Sequence, residues 1–338
     1  MSTLGDRTKA ALFAVFGDET TIGSITPVDH GRGVFSHVMR AELDPPASHA
    51  GLTSVAVKLL RADANGAAAV TSGAVSREVL AYQELLPSTE AVATPAFFGV
   101  SVDGRDIPSL VLQDLSAFRH ADQVAGLDDP DLRAIVAELI ALHTTWAGRP
   151  ELDVIEVRTS TPTHFAPEAL ERGAAALDTR WDSISGERRA ALQELATNRA
   201  AAVDAFTSEA DPTLCHGDPR ADNVAFDHNG RAFLFDWQQM AIQFGEADLA
   251  WLLATSVDRQ VRRSTEGDIV ASYAMARRQD AATTWRRYVV GMALPGLAVL
   301  LLAQRAVDDE RSERFVRTSI ERIADAIIDL RVTDTLSP

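Results

Sequence analysis

Apolar and polar positions alternate with a period of two in the first third of the chain and recur three and four apart beyond residue 130. Val34 to Leu43 and Thr53 to Leu60 read as strands, separated by a polar, proline-containing loop from Asp44 to Leu52. A second loop, Ala62 to Gly73, is rich in Ala and Gly and is expected to be mobile. Ser76 to Leu86 then reads as a helix, with Val79, Leu80, Leu85 and Leu86 forming its apolar side and Pro87 ending it. Phe97 to Val102 and Ser109 to Leu112 read as a hairpin turning through Val102-Asp103-Gly104-Arg105.

From Pro130 onward, Leu132, Ile135, Val136, Leu139, Ile140 and His143 fall on one helical face. The main exception to the helical pattern is Leu214 to Phe226, two short apolar runs around a polar turn, continued by Phe233-Leu234-Phe235. Helices return from Asp248 to the end and break near Pro295. A small strand-rich lobe, residues 1–112, followed by a larger helical lobe, residues 113–338, is α+β organisation, with a ligand cleft expected between the two.

Composition narrows the function classes. The chain carries a formal net charge of -16, which argues against non-specific nucleic-acid binding, a task for clustered Lys and Arg. The charge suits a cationic small-molecule partner, and it equally suits a plain solvated acidic surface. A single cysteine, Cys215, excludes an internal disulfide framework and fits a reducing compartment. The first residues show no basic stretch followed by an apolar one, so no signal peptide is read there. The longest apolar run, Val289 to Ala303, is interrupted by Gly291, Pro295 and Gly296. It falls short of the roughly 20 residues a bilayer span needs and reads as a buried helix. A soluble, cytoplasmic protein with no membrane partner is expected. Only Lys9 and Lys58 among 32 basic residues are lysine, which makes each of them informative.

Lys58 sits in Ser54-Val55-Ala56-Val57-Lys58-Leu59-Leu60, where alternation puts Val55, Val57 and Leu59 on one face and Ala56 and Lys58 on the other. Taken alone, a mid-strand lysine fits best as an edge residue reaching to solvent. Glu78, near the start of the following helix, offers a partner that can hold the ammonium towards phosphate oxygens; taken alone, it reads as a surface residue at a helix N-terminus. Upstream, Gly31, Gly33 and Ser36 form Gly-x-Gly-x-x-Ser before a strand, a turn in which backbone N–H groups can approach phosphates. Glycine pairs are also common in plain turns, and there is no P-loop motif.

In the polar turn, Asn223 follows Asp218 by five residues, and Asp236 follows Asp218 by eighteen at the end of an apolar strand. An amide oxygen and a carboxylate suit Mg²⁺, which keeps few protein ligands when phosphates supply the rest. Asp218 is then left to orient a hydroxyl and take its proton.

The set Gly31/Gly33/Ser36, Ala56-Val57-Lys58, Glu78, His216-Gly217-Asp218 with Asn223, Phe235-Asp236-Trp237 and Gly245-Glu246-Ala247-Asp248 resembles, in order and across most of the chain, the protein-kinase-like small-molecule kinases of the aminoglycoside phosphotransferase and choline kinase group. The resemblance implies a bilobal protein-kinase-like fold and phosphoryl transfer from Mg²⁺-ATP to a hydroxyl of a small acceptor. It implies Asp218 as catalytic base, Asn223 and Asp236 as Mg²⁺ ligands, and Lys58, held by Glu78, as the contact to the α- and β-phosphates. Gln113, Asp114 and Leu115 resemble the hinge whose backbone meets adenine. Asp248 resembles an acid that braces the catalytic loop, and His143 a structural residue beneath it.

Two features depart from the relatives. Asp236 is followed by Trp237-Gln238, and only eleven residues lie between it and Asp248. That leaves no room for the activation segment of a protein kinase, so no protein substrate is expected. Two residues after Asp218 stands Arg220, which fits either stabilisation of the transferring phosphoryl group or an ion pair with Asp222.

The residues also bound the rival readings. His216 and Cys215 read as core residues, and most of the five tryptophans read as core rather than as a cage for a quaternary ammonium. A metal-dependent hydrolase built on His216, Asp218 and Asp222 would need further closely spaced histidines. A nucleotide-binding switch without catalysis would be expected to lack one of the catalytic groups. The acceptor site is expected in Gly148 to Trp181 and the C-terminal helices, with aminoglycosides, amino sugars, amino alcohols and other hydroxylated metabolites all open.

Overall fold

The computed structural model describes residues 3–28, 36–43, 51–60, 77–102, 108–153, 165–305, 307 and 309–336. The chain divides into two compact units, residues 1–119 and 120–338. The first is strand-rich and the second helix-rich, the bilobal protein-kinase-like architecture.

In the first unit, strands β1 (Ile22–Pro27), β2 (Ser36–Leu43), β3 (Ser54–Leu60), β4 (Phe97–Val102) and β5 (Pro108–Gln113) form an antiparallel sheet in the order β1-β2-β3-β5-β4. Val55, Val57 and Leu59 of β3 are fully buried, as their alternation requires, and pack with Met39, Ala41 and Val111. Helix α1 (Leu4–Phe16) covers this face through Ala11 and Leu12. It starts at a capping box in which Thr3 and Asp6 satisfy each other's backbone N–H. The hydrophobic pattern gives no signal for α1, nor for β1, a mostly exposed edge strand that carries Gly23 and Pro27. The helix read from Ser76 begins by 77, widens to a π turn at Ala81–Leu85 and closes as a 3₁₀ turn at Leu86–Ser88; it is α2 here. The Ala62–Gly73 loop, the turn after Val102 and most of the Asp44–Leu52 loop lie outside the described residues.

The first helix of the second unit is α3 (Asp129–Trp146), capped by the Asp128 carboxylate on the Asp131 N–H. Leu132, Ile135, Val136, Leu139 and His143 form its buried face. Helices α4 (Pro167–Thr179), α5 (Gly186–Thr197) and α6 (Arg199–Thr207) lead to strand β6 (Pro212–Cys215) and the polar turn. Strands β7 (Val224–Phe226) and β8 (Ala232–Leu234) make a hairpin, and β9 (Ala241–Phe244) returns to pair with β6. The rest is helical: α7 (Glu246–Ser256), α8 (Arg259–Arg277), α9 (Ala281–Gly291), α10 (Ala293–Ala303), α11 (Glu310–Leu330) and α12 (Val332–Leu336).

The apolar run expected as one buried helix is two. The chain breaks at Met292, and Pro295 lies in the first turn of α10, where its missing N–H leaves no bond unmade. Residues Ala281–Ala303 are long and apolar enough to cross a membrane, yet 72% of their most apolar window is buried inside the unit.

Helices α8 and α11 are joined at Asp329, which Arg259, Arg262 and Arg263 all contact. Burial pushes the Asp329 carboxyl up, but the arginine hydrogen bonds outweigh it and hold it well below the usual carboxylate range. Arg262 is itself only 1% exposed. Asp329→Asn is therefore expected to cost about 2–4 kcal/mol in chemical denaturation, because it leaves a buried guanidinium with less compensation. Since the folded carboxyl is depressed, the stabilisation is present above the ordinary carboxylate pKa and fades as acid approaches the folded value.

Candidate functional site

In the first unit Lys58 lies on the central strand of the sheet, between Val38 of β2 and Leu110 of β5. It is not the edge residue that a lone mid-strand lysine would be: it is 7% exposed, and its Nζ sits 2.8 and 2.9 Å from the two Glu78 oxygens. Glu78 is fully buried, not a surface residue. Two desolvated charges at this distance hold each other in place, which fixes the ammonium at one point on the sheet. Ala56 lies two residues earlier on the same face of β3. Ser36 is buried at the start of β2, while Gly31 and Gly33 lie outside the described residues.

At the end of β5 the Gln113 N–H donates to the Ala96 carbonyl at 2.8 Å, and its side chain accepts from the Ala96 N–H. The Gln113 N–H is thus already committed within the sheet. The Asp114 carboxylate takes Arg40 Nε and Ser54 Oγ, each at 2.7 Å, and the Ser116 N–H at 2.9 Å, so this side chain fastens the segment. Leu115 is buried and its carbonyl accepts from Phe118 N.

In the second unit the polar turn is built from below by one buried acid. Asp248, in the first turn of α7, accepts from the backbone N–H of His216 at 2.7 Å and of Gly217 at 2.9 Å. Its Oδ2 also lies 3.2 Å from His143 Nε2, and His143 Nδ1 lies 2.8 Å from the Tyr273 hydroxyl, which in turn accepts from Arg277. Burial lowers the His143 pKa, so the neutral ring with its proton on Nε2 completes the chain of donors. Gly217 is required here: its φ is 81°, and a Cβ would stand 1.9 Å from the Gln239 carbonyl oxygen.

His216 is structural as expected. Its Nδ1 accepts from the Asp218 N–H and its Nε2 donates to the Phe235 carbonyl at 3.0 Å. With both nitrogens engaged and Asp222 accepting from Gln123 N, the triple His216, Asp218 and Asp222 forms no coordination set. A second group, His143, Cys215 and Asp248, is close enough for a metal, but it is accounted for by hydrogen bonds. Burial raises the Cys215 thiol well above its ordinary pKa, and it donates to the Gln243 and Phe244 carbonyls.

Held on this base, the Asp218 carboxylate is partly open, with 18% of its side chain exposed. Its Oδ1 accepts from Trp251 Nε1 at 2.7 Å; its Oδ2 accepts from Asn223 Nδ2 at 3.0 Å and lies 3.3 Å from Arg220 Nε. Burial raises its pKa to about 6; Arg220 opposes the rise, the Asp236 charge adds to it, and the Trp251 and Asn223 hydrogen bonds oppose it. Arg220 is nearer Asp218 than Asp222, from which it lies 3.8 Å, and its guanidinium rests over the Phe315 ring at 5.7 Å. Ser256 of α7 accepts from Ala221 N and so ties the far side of the turn to the same helix.

The Phe235 N–H donates to the Asn223 carbonyl across the β7–β8 hairpin, which sets Asp236 one residue beyond Asn223's partner. Asp236 has a left-handed backbone, φ 66°, a conformation that costs free energy in a non-glycine residue and recurs at functional sites. With its nitrogen committed to Asp218, the Asn223 amide presents its oxygen as the atom for a cation. A neutral amide oxygen and a carboxylate make a hard donor pair that fits Mg²⁺. The eleven residues after Asp236 fold directly into a 3₁₀ turn, the short strand β9 and the start of α7, which leaves no stretch for an activation segment.

Trp251, whose indole N–H meets the Asp218 carboxylate, is not singled out by the sequence. The signal that could find it is helical spacing: it stands three residues after Asp248, on the same side of α7. Trp146, Trp181 and Trp237 are buried core, as expected.

A five-stranded sheet bearing a buried Lys–Glu pair, followed by a helical unit bearing a clamped His-Gly-Asp turn, defines a protein-kinase-like fold. The sequence profile of the ecdysteroid kinase-like family matches residues 30–278, most of the chain, and the protein belongs to that family. No curated protein sequence matches it significantly. The GDP complex of wild-type aminoglycoside 2'-phosphotransferase-IIIa shares the fold at 15% identity and a TM-score of 0.60, over 94% of this chain and 98% of that one. Spectinomycin phosphotransferase APH(9)-Ia, solved with ADP and spectinomycin, matches at 13% identity and 0.60, covering 96% and 98%. The choline kinase LicA from Streptococcus pneumoniae matches at 15% identity and 0.54, covering 96% and 99%.

Proposed function

We propose that this protein transfers the γ-phosphoryl group of Mg²⁺-ATP to a hydroxyl of a small organic acceptor in the cytoplasm. The observation that carries the reading is Asp218: a partly open carboxylate, fixed by two hydrogen bonds and an ion pair, on a turn whose backbone a buried acid clamps. A base for a hydroxyl needs that combination of fixed direction and an ionisation near working pH. Membership of a kinase-like family, and the nucleotide complexes of structurally similar phosphotransferases, support the same reading.

In this account Asp218 orients the acceptor hydroxyl and takes its proton, and Arg220 offsets charge on the transferring group. Lys58, held by Glu78, contacts the α- and β-phosphates. Gly31, Gly33 and Ser36 cover the phosphates, and the backbone of residues 113–115, with Ala56 beside it, holds the adenine. Asn223 and Asp236 would hold Mg²⁺, which offsets phosphate charge when bound. Residues to about 112 serve as the nucleotide-covering lobe and the remainder as the catalytic and acceptor lobe. Most of the rate comes from positioning and electrostatics rather than from covalent chemistry. The acidic balance of the chain favours an amino-bearing acceptor.

The test is ADP release from Mg²⁺-ATP across pools of aminoglycosides, macrolides, choline and ethanolamine, amino sugars and sterols. Acceptor-dependent release establishes the activity and the acceptor class; nucleotide binding with silence in every pool would favour a nucleotide-binding switch. Asp236→Ala is expected to weaken Mg²⁺-dependent nucleotide binding at least tenfold by titration calorimetry while leaving metal-free binding nearly unchanged. Equal Mg²⁺ dependence in the variant would remove Asp236 from the metal site.

A further inference from the structure

We infer that Trp251 is a positioning residue for the proposed transfer: its indole N–H fixes the Asp218 carboxylate so that Oδ1 is the oxygen that receives the acceptor's proton. The inference rests on the phosphotransfer reading of this site. A carboxylate offers about four lone-pair directions, two on each oxygen. Oδ2 accepts from Asn223 Nδ2 at 3.0 Å and is paired with the Arg220 guanidinium at 3.3 Å, so its charge is already met from two sides. On Oδ1 one is taken, by Trp251 Nε1 at 2.7 Å. The remaining direction on Oδ1 is where a hydroxyl can be bound.

The Trp251 ring suits this task because it cannot wander. It is half-buried on α7 and packs against the cluster of Phe206, Phe244, Ala247, Val290 and Leu294. The same helix carries Asp248, which holds the backbone of the turn, so one rigid element sets both the position of the loop and the orientation of its carboxylate. An amide on a longer, flexible stem would satisfy the hydrogen bond without fixing the plane. In the step itself, the acceptor oxygen bonds to the γ-phosphorus as the bond from that phosphorus to the β–γ bridging oxygen breaks. ADP leaves with those electrons, and the hydroxyl proton passes to Oδ1.

The test is Trp251→Phe, which keeps an aromatic wall and deletes the donor. Loss of one hydrogen bond to a charged group is expected to lower kcat about 10- to 100-fold, with nucleotide affinity and acceptor KM changed by less than about threefold. In an Asp218→Asn background the same substitution is expected to cost little more, because the carboxylate it orients is gone; a merely structural tryptophan would cost the same factor in both backgrounds. An unchanged kcat, or equal losses in the two backgrounds, would overturn the inference. A second measurement guards against a misfolded variant. The Trp251 indole N–H proton resonance in the wild-type protein should move upfield in Asp218→Ala, and a resonance that stays put would refute the pairing. If that resonance moves but the wild-type protein phosphorylates no acceptor, the pairing stands and the phosphotransfer reading, with the catalytic role of Trp251, falls.

Discussion

Asp218→Asn is expected to lower acceptor phosphorylation about 10²–10⁴-fold, the range spanned by a general base, while nucleotide binding stays within a few-fold of wild type. The amide keeps the shape of the carboxylate and can still accept from Trp251 Nε1, so the turn itself should survive. What disappears is the capacity to take a proton. The pH dependence should follow the same group: burial raises the Asp218 pKa to about 6 and Arg220 only partly opposes it, so the base is protonated in acid. Activity in the wild type should therefore climb as pH rises through about 6, and that limb should be absent from the residual activity of Asp218→Asn. A pH–rate profile of kcat/KM in both proteins checks this, and a variant with wild-type turnover would remove Asp218 from the chemistry.

Asp248→Ala should fail in a different way. The carboxylate is fully buried and accepts from two backbone amides, those of His216 and Gly217, besides facing His143. Deleting it leaves two N–H groups in the core without partners and a histidine without its acceptor. The expected loss is about 3–5 kcal/mol of stability, the range for breaking a buried charged contact. Activity should be lost together with stability, and the amides of residues 216 and 217 should exchange with solvent much faster. Chemical denaturation and hydrogen exchange separate this outcome from that of Asp218→Asn, which should unfold near the wild-type midpoint. An Asp248→Ala protein of unchanged stability would mean that the turn is braced elsewhere.

The contrast between these two aspartates shows what the sequence could and could not disclose. Lys58 stands out as a polar residue set in an apolar run, whereas Glu78, Asp218, Asn223 and Asp236 are legible through their order and spacing and the resemblance these carry. Individually, Lys58 and Glu78 read as surface groups. Only the order of the sheet, with β3 at its centre, buries both of them, and strand order is a long-range property that local alternation does not encode. Helix α1 and strand β1 went unread because one has only a modest apolar face and the other is a mostly exposed edge. The break at Met292 was displaced to Pro295 because proline interrupts helices in general but is tolerated in their first turn.

Side-chain direction was the least legible property. Arg220 was balanced between Asp222 and a phosphoryl role; its guanidinium in fact lies closer to Asp218 and rests over Phe315, nearly a hundred positions downstream. The Gln113 N–H, expected within the adenine-binding stretch, is committed to the Ala96 carbonyl. Trp251 could have been found from its distance to Asp248 along one helix, but only after Asp248 was known to face the turn. In each case the missing information was which way a side chain leaves its element once distant segments have packed.

The most direct test of the central claim follows the phosphoryl group itself. Wild-type protein and Asp218→Asn would each be incubated with Mg²⁺ and ATP labelled at the γ-phosphate, together with the pooled hydroxylated acceptors, and the small-molecule products separated and counted. The expected result is label in an organic phosphate ester with the wild type and its near absence with the variant. Label confined to ATP and inorganic phosphate, or carried to the ester equally by both proteins, would contradict the assignment of this site to acceptor phosphorylation by Asp218.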